Sequence, residues 1–138
     1  LFGAPKNIIS TARFLESGAD SGGTTIFEYD NMLLTMTWSK VSQDFCGSQI
    51  LGDEGTVTIG SISQLNHISF CRKGNDPKEV IGETEKYVIM SHEAQAFYDF
   101  ITKPEETAER YQEASRMALA VSAVMEQIRK QTGIKFDI

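Results

Sequence analysis

GTTIFEYDNMLLTMTWSKVS, residues 23–42, holds two apolar-rich runs, Thr24–Tyr29 and Met32–Val41, that meet at Asp30-Asn31. Both connecting residues tolerate the positive φ of a type I′ turn, so the stretch predicts a β-hairpin. Closing it there pairs Tyr29 with Met32, Phe27 with Leu34 and Thr25 with Met36, and sets those side chains on one face with Trp38. The opposite face carries Thr24, Ile26, Glu28, Leu33, Thr35, Thr37 and Ser39. One face is nearly all apolar and the other mostly hydroxyl. A slip of one residue would invert both, which specifies the register.

Upstream, Ile8–Glu16 (IISTARFLE) mixes Ile, Thr and Phe over a strand's length and predicts the first strand. Between it and the hairpin, Ser17–Gly23 (SGADSGG) has the glycines and hydroxyls of a phosphate loop. It lacks the Gly-Lys-Ser/Thr ending and leads into a strand rather than a helix N-terminus, so it is expected to be a plain loop. Downstream, Gln43–Gly47 is a connection, and Ser48–Gly60 predicts a second hairpin turning at Asp53-Glu54-Gly55, with Thr56-Val57-Thr58-Ile59 alternating across one covered face. His67–Cys71 and Glu79–Gly82 flank a reversal at Lys73–Pro77 and read as later or edge strands.

At Ser91 the period changes. Ala94, Phe97, Tyr98 and Ile101 share one helical face, Ser91 can cap the first turn, and Pro104 stops the run. A longer helix follows from Glu105-Glu106, with Tyr111, Ala114, Ala118, Val121, Met125 and Ile128 along a stripe and Gly133 as a left-handed terminator. Strands come first and helices last, joined by hairpins. That order implies an α+β fold: a mostly antiparallel sheet of about six strands with helices packed on one face.

The 138 residues fit a single domain, and 41% hydrophobic content supports a core without disulfides. Thirteen basic against 19 acidic residues give a net charge of −6 with no cationic cluster, which argues against nucleic acid and anionic membrane as partners. No apolar run has the length of a membrane span. Two cysteines, Cys46 and Cys71, suit a reducing, cytoplasmic setting. The start at Leu1, without an initiator Met, suggests an excised piece of a longer protein.

Few residues point to chemistry. His67 and Cys71 in a strand stand about 13 Å apart, too far to share a metal ion. His92 reads as a solvated group at a helix start. There is no nucleophile elbow, zincin motif or dinucleotide fingerprint, so no catalytic, cofactor-binding or metal residue is assigned. Arg13, Trp38 and Lys40, in or at the ends of expected central strands, are the candidates for lining a cleft. The plainer alternative makes Trp38 core and the two cations edge residues. The Thr24, Ile26, Glu28, Leu33, Thr35 and Thr37 face, apolar and hydroxyl together, is the candidate subunit interface.

Three stretches resemble one family, the C-terminal domain of the Gfo/Idh/MocA oxidoreductases, named for glucose-fructose oxidoreductase and inositol dehydrogenase. Leu1–Lys6 (LFGAPK) resembles the join into that domain's sheet. Ile50–Ile59 (ILGDEGTVTI) is similar to the family's G-x-x-G-T-hydrophobic hairpin, and Tyr111–Ile134 resembles its last helix. The resemblance implies a dihydrodipicolinate-reductase-like C-terminal fold. It also implies a parent that transfers hydride between NAD(P) and a sugar, polyol or related hydroxy compound. Its N-terminal Rossmann domain and the family's catalytic Lys, Asp and His would lie outside this sequence, where no position matches them. The chain would then wall the substrate cleft and join subunits into a homo-oligomer, without a cofactor or catalysis of its own. The competing expectation is a free-standing α+β ligand-binding or dimerisation module.

Overall fold

The computed structural model describes residues 2–43, 45–83 and 85–135. Leu1, at the head of the family-like opening, and Asp44, within the expected Gln43–Gly47 connection, lie outside them. The chain divides into two compact units, Leu1–Gln43 with Glu109–Ile138, and Asp44–Ala108. Among the described residues, hydrogen bonding sorts seven strands into two antiparallel sheets, and two helices follow. The α+β class stands as expected from the sequence. The expected single sheet of about six strands is instead a three-stranded and a four-stranded one.

In the first unit, β1 (Asn7–Phe14), β2 (Asp20–Glu28) and β3 (Leu33–Ser39) lie in the order β1-β2-β3. The hairpin has the expected register, with Phe27 opposite Leu34 and Thr25 opposite Met36. Tyr29 N–H donates to the Met32 carbonyl at 3.0 Å across the turn. The turn type differs from expectation. Among the described non-glycine residues only Leu65 and His67 have positive φ, so Asp30-Asn31 is not type I′.

Ile8, Phe27 and Ile128 form the buried core of this unit, with Tyr29, Leu34, Trp38 and Val124 packed against it. Thr25, in the middle of the central strand, is fully buried, and its hydroxyl lies 2.8 Å from that of Ser10 on β1. A buried hydroxyl without such a partner would be strongly unfavourable.

The covering helix is the C-terminal part of α2 (Pro104–Thr132). Of the expected stripe, Ile128 is buried and packs with Val124 against the core, whereas Tyr111, Val121 and Met125 are 56%, 53% and 57% exposed. One turn beyond Ile128, the Gln131 side chain reaches the outer edge of β1. Its Nε2 donates to the Ile8 carbonyl at 2.6 Å and its Oε1 accepts from the Ser10 N–H at 2.9 Å. A single carboxamide thereby satisfies an acceptor and a donor that would otherwise be open to another strand. Gly133 ends the helix as expected, with φ 76° and its N–H donated to the Arg129 carbonyl at 2.9 Å.

The second unit carries β4 (Ser48–Gly52), β5 (Gly55–Ser61), β6 (Asn66–Arg72) and β7 (Lys78–Ile81) in sequential order. The turn at Asp53-Glu54 and the reversal before Lys78 fall where the sequence suggested. Ile59 is buried here, opposite Ile68. The helix α1 (Lys86–Thr102) begins five residues before the expected start, with Glu85 at its N-cap. Ser91 is therefore interior, and its Oγ donates to the Val88 carbonyl at 2.7 Å instead of capping. No residue of α1 is buried, and Phe97, Tyr98 and Ile101 are 62%, 60% and 78% exposed.

Candidate functional site

The end of the first sheet away from the Asp30-Asn31 turn gathers the most chemistry. β1 and β2 pair in regular register from Asn7 opposite Glu28 to Arg13 opposite Gly22, and the next pair is Phe14 with Asp20. Ser21 is the extra residue, a bulge on β2. Its carbonyl accepts the Lys40 N–H at 2.8 Å, carrying the pairing just beyond β3. A bulge inverts the alternation, so the Asp20 side chain lies on the core face, where Trp38 also stands.

The consequence is a three-residue cluster. Lys40 Nζ donates to Asp20 Oδ1 at 2.6 Å, and Trp38 Nε1 donates to Oδ2 at 3.4 Å, the longer and weaker of the two contacts. The Asp20 side chain is 9% exposed, whereas that of Lys40 is 58% exposed. Withdrawing a carboxylate from water is unfavourable unless a cation and hydrogen bonds compensate, as they do here. The hydrogen bond from Lys40 is the main cause that holds the Asp20 carboxyl below its ordinary pKa, against desolvation and with help from Trp38.

Space as well as charge sets the position of Trp38. Gly23 lies opposite it, and a Cβ built on Gly23 would come within 2.5 Å of Trp38 Cη2 and Cζ2 and press on the Thr11 carbonyl. The indole thus sits against a glycine of the central strand. Trp38 remains half-buried, one part against the core and one part accessible. What the cluster presents outward is an aromatic surface and an ammonium with donor positions to spare.

Of the three cleft candidates, the structure brings Trp38 and Lys40 together and leaves Arg13 apart. Arg13 is five residues along an unbroken strand from the core residue Ile8, so it lies on the opposite face, beside Gly22 and Ser39. Asp20 was missed because SGADSGG reads as a loop; the strand in fact starts at Asp20. Alternation alone could not reveal it, since the bulge breaks the pattern just there.

The hydroxyl face is assembled as expected. Thr24, Ile26 and Glu28 on β2 stand opposite Thr37, Thr35 and Leu33 on β3. The Thr24 and Thr37 hydroxyls are 3.2 Å apart, and Glu28 Oε2 accepts from Asn7 Nδ2 at 2.8 Å. Leu33 is 71% exposed, and Ile9, opposite Ile26, adds a further apolar side chain at 51% exposure.

The glycine-rich stretch Ser17–Gly23 runs into β2, so no helix N-terminus is there to receive a pyrophosphate. Among the described residues, no group of three or more His, Cys, Asp or Glu could hold a metal ion. No helix of the described residues is long and apolar enough to cross a membrane.

No protein-family model matches the chain. It is 31% identical over 136 residues to scyllo-inositol 2-dehydrogenase (NADP(+)) IolU of Bacillus subtilis (strain 168). It is 29% identical over 140 residues to the uncharacterized oxidoreductase YgjR of Escherichia coli (strain K12). Each match takes in 99% of this chain, and the chain spans 40% of the length of each relative. The resemblance drawn from the sequence is thus supported along essentially the whole chain, to part of an inositol dehydrogenase and part of a second oxidoreductase.

Proposed function

We propose that this chain is the C-terminal, substrate-side domain of a Gfo/Idh/MocA oxidoreductase, whose parent oxidises or reduces a polyol or sugar with NAD(P). The observation that carries this reading is similarity over 99% of the chain to an NADP(+)-linked scyllo-inositol dehydrogenase. The share of the relatives that is left unmatched is large enough for a separate nucleotide-binding domain. The cofactor and the hydride chemistry belong to that other domain. In this reading the chain contributes a wall of the substrate cleft and a surface for assembly, in a cytoplasmic enzyme.

Within the domain, Trp38 and Lys40 are the cleft residues. An indole face and an ammonium with free donors suit a ring of hydroxyl groups, which offers C–H surface to the one and oxygen acceptors to the other. Arg13 lies on the other face of the sheet and takes no part in this corner. The Thr24, Ile26, Glu28, Leu33, Thr35 and Thr37 face is the homo-oligomer contact, supported by the exposure of Leu33 and Ile9 beside hydroxyls that already pair with one another.

The test is the complete reading frame. It should encode, before this chain, a strand followed by a Gly-x-Gly-x-x-Gly turn, and the whole protein should reduce NAD(P)+ in the presence of an inositol or sugar. A frame with no such fold, or a whole protein inert toward polyols with either cofactor, overturns the reading.

A further inference from the structure

Lys40 is the exposed cation of the corner, yet its charge is not free. The carboxylate that balances it is almost wholly buried, in direct contact at 2.6 Å, and its second oxygen is engaged by Trp38 Nε1 at 3.4 Å. An ion pair in which one member is hidden and the other half-exposed shows the surface hydrogen-bond donors with little net charge. A lone ammonium on an indole would attract carboxylates and phosphates, since uncompensated charges steer ions of opposite sign. The Asp20–Lys40 pair cancels that attraction and keeps the donors.

We propose that Asp20 is a positioning residue that fixes Lys40 beside Trp38 and neutralises it, so that the corner accepts a neutral polyhydroxy compound and gives no advantage to an anionic one. The Ser21 bulge is what brings Asp20 to this face, and Gly23 is what leaves room for the indole beside it. This assignment rests on the cleft role proposed above for Trp38 and Lys40, and it adds the charge class of the ligand.

Trp38 is the single tryptophan of the chain, so its fluorescence reports on this corner alone. Quenching is measured with iodide, caesium and neutral acrylamide at low ionic strength in the wild type, Asp20→Asn and Lys40→Met. A unit charge released on the cation that shares the Asp20 carboxylate with the ring should raise iodide quenching about twofold in Asp20→Asn and lower caesium quenching similarly, with acrylamide unchanged. Lys40→Met, which leaves the carboxylate instead, should do the reverse, and it decides the matter if Asp20→Asn does not fold. In the whole enzyme, Asp20→Asn should lower KM for a uronate or aldonate relative to KM for the neutral sugar.

Two results overturn the assignment: iodide and acrylamide quenching rising together, which would make Asp20 only a packing support, or no charge-dependent change in either variant. Absence of polyol turnover by the whole protein would sink the oxidoreductase reading instead, and the quenching result would stand apart from it.

Discussion

Lys40 Nζ and Asp20 Oδ1 meet at 2.6 Å across 20 residues of sequence, through a bulge that turns a nominal loop residue onto the face of Trp38. Two strands and their hydrogen bonding define that contact, so it responds to changes in charge, in pH and in the space around the indole.

The pH response has a definite sign. The folded state holds the Asp20 carboxyl below its ordinary value, so the unfolded chain binds the proton more readily. The pair's contribution to stability is complete above the unfolded carboxylate pKa of about 3.9 and fades as pH falls through the lower folded value. Urea unfolding of the wild type and Asp20→Asn should therefore converge as pH is lowered from about 5. Equal separation at every pH would contradict this origin.

Gly23→Ala tests the seat of the indole. A Cβ there meets Trp38 Cη2 and Cζ2 at 2.5 Å and the Thr11 carbonyl, so the ring or the strand must move. The expected loss is about 1–3 kcal/mol in urea unfolding, with a shift in tryptophan emission. Unchanged stability would mean that the corner is looser than its geometry implies.

Gln131 offers a test of the capped edge. Gln131→Ala removes two hydrogen bonds to β1 and should destabilise the chain by about 1–3 kcal/mol. Gln131→Glu separates the two bonds by pH. A protonated acid can donate to the Ile8 carbonyl and accept from Ser10, whereas a carboxylate can only accept. The folded state should raise this carboxyl's pKa, so stability is full at low pH and is lost as pH rises through the raised value. A variant whose stability fell in acid would contradict the two-bond geometry.

The subunit surface makes a prediction about mass. Leu33→Glu places a charge in the middle of the hydroxyl face and should shift the chain toward monomer in sedimentation, with circular dichroism unchanged. The same mass for both proteins would remove this face as the contact.

The hairpin was legible because its two runs set mostly apolar side chains on one face and mostly hydroxyls on the other, and the turn residues Asp30-Asn31 join them. The α+β class followed from strands preceding helices. What was not legible depended on contacts distant in sequence. Asp20 and Gly23 sit in a stretch rich in serine and glycine, and nothing local says that a tryptophan 15 residues on requires a glycine there. The α1 start was placed too late because Ser91 reads as a cap, although its hydroxyl bonds backward within the helix. On α2, Gln131 looks like a solvated end residue, and its pairing with β1 lies more than 120 positions away. The choice between one sheet and two also depends on which edges meet, which alternation within a strand does not encode.

The most direct measurement is steady-state kinetics of the whole reading frame with Lys40→Met against wild type, using an inositol as substrate and following NAD(P)H. A domain that walls the cleft through Lys40 predicts a KM for the polyol raised about tenfold, the KM for the cofactor unchanged, and kcat within about twofold. Identical polyol KM values in the two proteins, or a change in the cofactor KM alone, would contradict the account.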